Sequence, residues 1–307
     1  MSAHVLYPGC LISRRYPGFE AAARFVAKKL GMELVDREGF TCCPDPVWLR
    51  SARQDLWLRM AARNLAVAAG QNGDAGSLVA LCNGCFETLN TALHLLKTDQ
   101  KQREQVARFL ESQGQTLSTR LQVKHLVQVV YETLGPEELK KHLVRPLEGL
   151  TLATHPGCHL TRPSDIARFD DPLNPRALDE LVEALGARVL DYPTKSQCCG
   201  LPVFVTDREL SLSLAAEKIR AVAQADGLVV TCPSCFQQFE TVQMLDRSLP
   251  RVPVFYYFEL LALALGADPG EIGLDQHRIK ADAVLARLGH AKSSAHGVSG
   301  ARGTKPN

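Results

Sequence analysis

The chain has 307 residues, of which 46% are hydrophobic and 22% charged, and its formal net charge is only +2. This length suits two cores of about 150 residues each, and the apolar content excludes a chain that is disordered throughout. Because the basic residues are scattered, the sequence has no electrostatic footprint for nucleic acid or anionic lipid, and proteins or small molecules are the expected partners.

The amino terminus and the apolar segments bear on where the protein is located. Residues 1–8 contain no basic segment followed by an apolar stretch, so they lack the pattern of a secretory signal. The longest apolar stretch, residues 252–265, includes Pro253 and Glu259 and is shorter than the roughly 20 residues that cross a bilayer. We therefore expect a cytoplasmic protein without a transmembrane segment, in which cysteines have metal or redox roles rather than forming disulfides.

Short apolar runs alternate with amphipathic stretches along the first half of the chain. Strands that alternate with helices in this way are typical of a parallel sheet covered by helices. The pattern predicts a strand at 3–7, a helix at 19–30 that stops at Gly31, a short strand at 32–36, a helix at 54–70, a strand at 77–81, and helices at 86–96 and 102–113.

The second half repeats this order and predicts the fold class. An α/β fold follows, with two pseudo-symmetric Rossmann-like domains that each contain a doubly wound parallel sheet. We place the first domain at residues 1–148, the second at 149–290, and a flexible tail rich in Gly, Ser and Ala at 291–307. The elements predicted here are a strand at 150–154, a helix at 175–185, a strand at 188–191, a helix at 207–223, a strand at 227–231, and an aromatic core stretch at 255–258 before a further helix.

All ten cysteines fall into two copies of one pattern. In each copy a Pro-Gly-Cys tripeptide is followed by two adjacent cysteines and then by a Cys-x-x-Cys pair after an apolar strand. Sites in doubly wound sheets form beyond the carboxyl ends of the strands, so the pattern predicts one metal-cluster site in each half. The first set is Cys10, Cys42, Cys43, Cys82 and Cys85, and the second is Cys158, Cys198, Cys199, Cys232 and Cys235.

The number and spacing of the thiols favour iron-sulfur clusters over other metal sites. Structural zinc takes four ligands, so it would leave one thiol of each set without a role. The spacing also differs from the compact run of a bacterial ferredoxin. A cluster of several irons can accept five ligands, including a thiolate shared by two irons, and adjacent cysteines on a bend could bind different irons. Zinc binding and thiol redox chemistry stay open as alternatives.

The cysteine pattern, present twice over residues 4–265, resembles that of the CCG-domain family, and the size of the chain resembles the B subunits of heterodisulfide reductases within it. The resemblance implies that each five-cysteine set holds one noncubane 4Fe-4S cluster and that the active site lies near the interface of the two domains. One departure concerns the first site. The second set reads Cys199-Gly200, whereas the first reads Cys43-Pro44, and proline fixes a φ angle that glycine leaves free. The first site is therefore expected to hold its cluster in altered geometry or to hold a different metal.

The resemblance also implies an activity and partners. The activity would be cleavage of a disulfide by one-electron steps, or the reverse oxidation of thiols, with a lipoyl carrier protein of sulfur metabolism as one possible substrate. The chain has no G-x-G-x-x-G fingerprint and no flavin motif, so electrons must pass through other subunits. The family implies two of these, a ferredoxin-like C subunit and a flavin-containing A subunit.

Two arginines are candidates for binding the substrate. Arg14 and Arg162 occupy matching positions four residues after the first thiol of each set. A guanidinium there could bind a carboxylate or sulfonate of the substrate. Surface or interdomain salt bridges are the alternative role for both side chains.

Three further side chains near the second set are weaker candidates. His155 and His159 flank Cys158 and could donate hydrogen bonds to cluster sulfur or to a departing thiolate, although a structural role is the usual one for a single histidine. Lys195 precedes the adjacent cysteines of the second set and could offset cluster charge or bind substrate, or could simply be solvated.

Two rival functions remain open from the sequence. One is a CCG electron-transfer subunit of a quinone-linked succinate, glycolate or lactate dehydrogenase, although residues 252–265 lack the basic face expected for membrane contact. The other is a zinc-stabilised assembly protein without catalytic activity.

Overall fold

The protein contains two four-stranded parallel sheets, one in each half of the chain. The computed structural model describes residues 3–70 and 76–290, and the predicted tail at 291–307 lies outside the described residues. The strand orders are β2-β1-β3-β4 and β6-β5-β7-β8. In the first half the elements are β1 Ala3–Tyr7, α1 Cys10–Arg15, α2 Pro17–Lys29, β2 Glu33–Val35, α3 Trp48–Ala52, α4 Gln54–Ala69, β3 Ser77–Ala80, α5 Asn83–Thr98, α6 Gln100–Glu111, β4 Gln122–His125, α7 Leu126–Thr133 and α8 Gly135–Lys140.

The second half follows the same order with different helix lengths. Its elements are β5 Thr151–His155, α9 Cys158–Thr161, α10 Ser164–Ala167, α11 Ala177–Ala184, β6 Arg188–Leu190, α12 Arg208–Ala221, β7 Gly227–Val230, α13 Pro233–Leu245, β8 Val254–Tyr256, α14 Tyr257–Ala264 and α15 Asp282–Arg287, with short 3₁₀ helices at Leu201–Val203 and Leu274–Gln276. The prediction of two Rossmann-like α/β units with parallel sheets is confirmed.

The two sheets have the same register as well as the same order. Val5 of β1 pairs with Leu78 of β3, and the equivalent Ala153 of β5 pairs with Leu228 of β7. Every residue of β3 and β7 is buried, which is usual for central strands of a parallel sheet that is covered by helices on both faces. The repeat in the sequence therefore encodes a repeat in the backbone.

The sequence patterns did not identify the edge strands β4 and β8. The first of these, β4, contains Gln122 and Lys124, so it has no continuous apolar run, and β8 has only three residues. A helix begins directly after each strand. Strands this short carry too little periodicity to be separated from the helix that follows.

The two halves pack through equivalent helices. Helix α14, whose residues are all buried, lies against α2 of the first half, and the rings of Phe19 and Tyr256 stack with centroids 4.5 Å apart. On the other side, α7 and α11 are in contact, and the hydroxyl of Tyr131 donates to Glu180 Oε2 at 2.6 Å. These contacts hold the carboxyl ends of the central strands of both sheets at one junction.

The join between the halves lies between α8 and β5. The backbone N–H groups of Val144 and Arg145 both donate to the carbonyl of Ala264, at 2.8 and 2.9 Å, so this segment is held by the second half. The domain division at residue 148 stays a prediction. Within the described ranges, no helix combines the length and apolarity that crossing a membrane requires.

Candidate metal centre

The cysteines lie at the position in each sheet where the strand order reverses. In the order β2-β1-β3-β4, chain connections leave β1 and β3 in opposite directions, and a crevice opens between their carboxyl ends. Cys10 follows β1 and Cys82 follows β3, while Cys158 and Cys232 follow the equivalent strands β5 and β7. The fold therefore places one set of thiols at each crevice.

Helix termini and glycines shape the backbone around the thiols. Cys82 and Cys232 are the N-cap residues of α5 and α13, where the helix dipole favours a negative charge such as a thiolate. Gly9, with φ of 80°, precedes Cys10, and a Cβ atom on it would lie only 2.9 Å from Cys85 Sγ. Only glycine lets the backbone pass this close to the sulfur without a shift.

The ten thiols form one continuous row, which we call the thiol chain. Each member is close enough to the next to shift its pKa through a hydrogen bond, and the second half of the row repeats the first in reverse. The row therefore has the pseudo-twofold symmetry of the fold. Its order is Cys10, Cys42, Cys43, Cys85, Cys82, Cys232, Cys235, Cys199, Cys198 and Cys158.

The thiol chain is buried at its centre and open at its ends. The two sets meet where Cys82 Sγ lies 4.0 Å from Cys232 Sγ, and both residues are buried. At one end Cys10 and Cys42 are exposed, and at the other Cys158 is half-buried. A molecule arriving from solvent would therefore meet the ends of the row first.

The crowding of the thiols favours the thiolate form at particular positions. Hydrogen bonds from Cys42 and Cys85 lower the pKa of Cys43 to about 5. In the second set, hydrogen bonds from Cys158 and Cys199 lower the pKa of Cys198 to about 2. The pKa of Cys232 is lowered in the same way, whereas neighbouring thiols and burial raise the pKa of the other seven. Thiolate is the form that binds metals, so three positions in the row favour the metal-binding form.

The donor set fits iron-sulfur clusters in chemistry and order. All ten cysteines are free thiols, and every donor in the row is sulfur, which suits iron-sulfur centres and soft metals. Across the described ranges, no three His, Cys, Asp or Glu side chains form a group that could hold a metal ion. The fit of the thiols to iron-sulfur clusters therefore rests on the donor atoms and on their order along the row, and not on a preformed cage of ligands.

Cross-junction hydrogen bonds hold the two sets against each other. Asn83 Nδ2 donates to the carbonyl of Pro156 at 2.7 Å, and Thr231 Oγ1 donates to Asn83 Oδ1 at 3.0 Å. The hydroxyl of Tyr256 donates to the carbonyl of Leu81 at 2.5 Å. The sequence analysis missed Asn83, although its place between two cysteines of a repeated motif was a signal.

The two predicted arginines differ in their surroundings. Arg14 is exposed on α1, one turn after Cys10, and has no hydrogen-bond partner within the described part of the chain. Arg162 is half-buried, and its Nη2 donates to the carbonyl of Pro172 at 2.5 Å. Substrate binding stays a prediction for both, and Arg14 is the one whose guanidinium is available.

His155 has a structural contact that constrains its predicted role. It is 1% exposed, and its Nδ1 lies 3.3 Å from the carbonyl of Lys195. A carbonyl only accepts, so Nδ1 carries the proton and Nε2, which has no partner in the described residues, can accept but not donate. Burial lowers the pKa of His155 to about 3, so the ring stays neutral. Donation to cluster sulfur stays a prediction that this tautomer does not support.

The other two predicted side chains face carboxylates. His159, on α9, lies near the buried carboxyl of Glu87 in the first half, and its hydrogen-bonding role stays a prediction. Lys195 is only 11% exposed, and its ammonium pairs with the buried Asp179. Its charge is therefore compensated within the protein, which leaves less of it for a cluster or substrate.

A different lysine, missed by the sequence analysis, lies beside the second set. Lys218 of α12 is 1% exposed and donates to the carbonyls of Thr194 and Lys195 in the loop before the adjacent cysteines. A helical projection gave a signal for it, because Lys218 shares the buried stripe of α12 with Ser211 and Ala215.

Two cavities in the structure are not part of the thiol chain. One, of about 250 Å³, is lined by residues that include Arg15 and His277, and the other, of about 340 Å³, by residues that include Lys97 and Lys124. Neither lining contains a cysteine. The thiols therefore open directly to the surface at the ends of the row, and not into either of these cavities.

The fold and the repeated cysteines define a known class of protein. A family model described as a cysteine-rich domain, CCG, matches residues 4–90 and again residues 152–240, and each matched segment contains one complete five-cysteine set. The chain belongs to the CCG cysteine-rich domain family.

Curated relatives extend over almost the whole chain. The chain is 35% identical over 294 residues to the B subunit of the ferredoxin/F(420)H(2)-dependent CoB-CoM heterodisulfide reductase of Methanosarcina acetivorans, covering 92% of this chain and 96% of the relative. It is 29% identical over 288 residues to the 8-methylmenaquinol:fumarate reductase membrane anchor subunit of Wolinella succinogenes, covering 90% and 96%. The resemblance to heterodisulfide reductase B subunits is confirmed, and both relatives are named as subunits of oxidoreductases.

A solved structure shares the fold. A hypothetical protein from Helicobacter pylori superposes with a TM-score of 0.72 at 16% sequence identity, and the match covers 91% of this chain. It covers 52% of the other chain, so this protein spans about half the length of that one. At this identity the likeness shows the fold alone.

Proposed function

We propose that the protein is the iron-sulfur subunit of a heterodisulfide reductase-like complex and that the ten cysteines bind two noncubane 4Fe-4S clusters. The observation that carries this proposal is the thiol chain, in which both five-cysteine sets form one uninterrupted row across the junction of the two halves. The similarity to a heterodisulfide reductase B subunit over 92% of the chain supports the same conclusion.

The clusters would be held by residues whose positions the fold already fixes. Cys10, Cys42, Cys43, Cys82 and Cys85 would hold the first, and Cys158, Cys198, Cys199, Cys232 and Cys235 the second. When bound, each iron-sulfur cluster supplies one-electron transfer, so two of them match the two electrons that a disulfide accepts. The protein supplies thiolates, buries the centre of the row from water and places the amino-terminal ends of α5 and α13 against negative charge.

The proposed reaction is the reduction of a disulfide or its reverse. One disulfide, two electrons and two protons give two thiols, and the sulfur–sulfur bond is the bond that breaks. The exposed end of the row at Cys10 and Cys42 supports access by a substrate from solvent. Arg14, exposed one turn after Cys10, would bind a carboxylate or sulfonate on that substrate.

The electrons would come from or go to partner subunits. We propose that a ferredoxin-like C subunit and a flavin-containing A subunit belong to the same cytoplasmic complex, because the sequence of this chain has no nucleotide-binding fingerprint. A lipoyl carrier protein is the substrate that we propose if the complex works in the direction of thiol oxidation.

Anaerobic purification followed by metal and sulfide analysis tests this function. We expect about eight irons and about eight acid-labile sulfides per chain if two 4Fe-4S clusters are bound. Electron paramagnetic resonance (EPR) spectra should change when a dithiol substrate such as a lipoylated carrier protein is added. Zinc without sulfide would overturn the proposal and support the assembly-protein alternative, and thiols that leave the spectra unchanged would overturn the disulfide reaction.

A second candidate is electron transfer in a quinone-linked reductase or dehydrogenase. The 29% identity to a fumarate reductase membrane anchor subunit over 90% of the chain favours it. A reduced menaquinol analogue separates the two, because it should reduce the purified complex only if this second function holds, whereas a disulfide should reoxidise the reduced complex only if the first one does.

A further inference from the structure

Helices α4 and α12 occupy equivalent places in the two halves, and each carries a buried polar residue at the equivalent position of its inner face. These residues are Asn64 and Lys218, which lie ten residues after the first residue of their helices and are 0% and 1% exposed. Buried residues stand seven positions before and four positions after each of them. The two side chains are therefore structural equivalents that differ in charge.

Both side chains hold the loop that carries the adjacent cysteines. Asn64 Oδ1 accepts the N–H of Thr41 at 2.9 Å, and its Nδ2 donates to the carbonyl of Cys42 at 3.0 Å. Lys218 Nζ donates to the carbonyl of Thr194 and, at 3.3 Å, to that of Lys195. The two halves therefore share the same kind of loop contact. In the first half the cation on this loop is Arg63, which is partly exposed and donates to the carbonyl of Gly39 at 2.8 Å, whereas in the second half it is the fully buried Lys218.

That charge is held against the loop that leads into Cys198 and Cys199, and it is shielded from water. Lys218 Nζ lies 5.4 Å from the centre of the Tyr192 ring. Burial lowers the pKa of Lys218 to about 8, and the electrostatic attraction of Cys235 and Cys199 acts in the opposite direction. Charges in such an interior interact more strongly than they do across water, and salt screens them less.

A backbone hydrogen bond adds to the difference between the two sites. The N–H of Gly200 points at Cys198 Sγ, at 3.4 Å, and φ of Gly200 is 87°. A Cβ atom at this glycine would lie 2.5 Å from the carbonyl oxygen of Ser211, so a larger residue requires a shift of the backbone. In the first half Pro44 takes the place of this glycine, and proline has no N–H to donate.

We infer, on the basis of the proposed iron-sulfur function, that the two sites differ in reduction potential and that the second site takes up the first electron. Each added electron makes a cluster more negative. A buried ammonium and an N–H donor to a ligand sulfur both stabilise that more negative state, so they raise the reduction potential. Lys218 acts through its charge and does not contact the substrate. Its proposed role is therefore to set the reduction potential of the second site, and it is not a catalytic residue.

A redox titration of the anaerobic full-length protein tests the inference. Dithionite supplies the electrons, EPR follows each site, and Cys43→Ala and Cys199→Ala assign the signals to the first and second sets. We expect the second site to be reduced at the higher potential. Lys218→Met should lower that potential and leave the first site unchanged, and Lys218→Arg should restore it.

A matched control on the same helix separates this effect from a general change of charge. Arg220→Gln also removes one positive charge from α12, but the side chain of Arg220 is 61% exposed, so solvent screens it and we expect little shift. Pro44→Gly is an independent second variant. It gives the first set a backbone N–H, and we expect it to raise the potential of the first site.

The outcomes distinguish the inference from the function on which it rests. Equal potentials at two fully loaded sites would overturn the inference, as would a loaded Lys218→Met protein whose second site titrates as in the wild type. If Lys218→Met does not load iron, the titration of Pro44→Gly decides. A wild-type protein without iron and sulfide would overturn the proposed function itself.

Discussion

Cys82 and Cys232 face each other across the junction of the two halves, with their sulfur atoms 4.0 Å apart. Each is the N-cap of a helix that follows the central strand of its own sheet. The pseudo-twofold axis of the fold therefore passes between these two sulfurs. Cysteines at this centre are near both sets, whereas those at the ends of the thiol chain are near one set only.

The position of a cysteine in the row predicts how many sites its replacement affects. Cys199 lies between Cys198 and Cys235, both of the second set, so Cys199→Ala should remove one cluster and reduce the iron content from about eight to about four per chain. Cys232→Ala should remove the second cluster and also alter the EPR signal of the first, because its neighbour Cys82 belongs to the first set. Iron analysis with EPR checks both, and an undisturbed spectrum in the Cys199→Ala protein would contradict the assignment.

Asn83 is predicted to stabilise the junction between the halves. Asn83→Ala removes two buried hydrogen bonds to the second half, while the Thr231 hydroxyl keeps its hydrogen bond to the Pro156 carbonyl at 2.8 Å. The loss of two such hydrogen bonds costs about 1–3 kcal/mol, which corresponds to a fall of roughly 2–5 °C in apparent Tm. Differential scanning fluorimetry under anaerobic conditions measures it.

A residue on the same helix provides the control for this substitution. Asn90 Nδ2 also donates across the junction, to the carbonyl of Ile166 at 3.0 Å, but Asn90 is only half-buried. Asn90→Ala should therefore lower the apparent Tm by less than Asn83→Ala. An equal effect of the two variants would show that burial of Asn83 contributes nothing extra.

The sequence predicted the parts of the fold that a repeated pattern defines. The long helices and central strands were predicted to within a few residues because apolar periodicity marks them, as at Gln54–Ala69 and Ser77–Ala80. The grouping of the thiols followed from the rule that sites form beyond the carboxyl ends of strands. The ligand role of the cysteines stays a prediction.

The sequence did not predict features that depend on contacts between distant segments. The edge strand β4 is short and polar, and only its pairing with β3 reveals it. Lys195 was chosen as the charged residue because it lies near Cys198 in the sequence, yet its partner is Asp179. The buried lysine is Lys218, further along the chain, and the packing of α12 brings it to the same loop.

Gly157 should tolerate no side chain, because a Cβ atom would clash with the side chain of Asn83 and because its φ angle is positive. Its φ is 76°, and a Cβ atom would lie 2.5 Å from Asn83 Nδ2 and 3.7 Å from Cys235 Sγ. Gly149 has a similar φ of 80° but no heavy atom within 4 Å of its Cβ position. Both alanine variants share a backbone cost of about 1 kcal/mol, so the difference between them reports the clash.

We therefore expect Gly157→Ala to lower the apparent Tm and the iron content of the second site, while Gly149→Ala lowers the apparent Tm slightly and keeps all the iron. Combining Gly157→Ala with Asn83→Ala should recover part of the lost iron content, since Asn83→Ala removes Nδ2, the atom nearest to the added Cβ. Full iron loading of Gly157→Ala would contradict the view that this glycine is needed for close packing at the thiols.

The buried pair of His277 and Glu259 should make stability depend on pH. His277 Nε2 lies 2.7 Å from Glu259 Oε1, and the side chains are 4% and 1% exposed. Burial alone disfavours the imidazolium, but the charge and the hydrogen bond of Glu259 outweigh burial and raise the pKa of His277 above its ordinary 6.5. The charge of Glu240 also raises this pKa, and the charge of Lys280 lowers it. Burial also raises the pKa of Glu259, and His277 opposes that shift.

A raised folded-state pKa means that His277 stabilises the fold fully below pH 6.5 and loses this effect as the pH rises through its folded value. The difference in apparent Tm between wild type and His277→Gln should therefore be largest near pH 6, at roughly 5–10 °C, and shrink toward pH 9. His142, whose side chain is 39% exposed and 3.8 Å from Glu138, provides the control, and His142→Gln should differ little from wild type at any pH. A difference for His277→Gln that grows with pH would mean that the imidazole is neutral in the folded protein and that Glu259 holds it by a hydrogen bond alone.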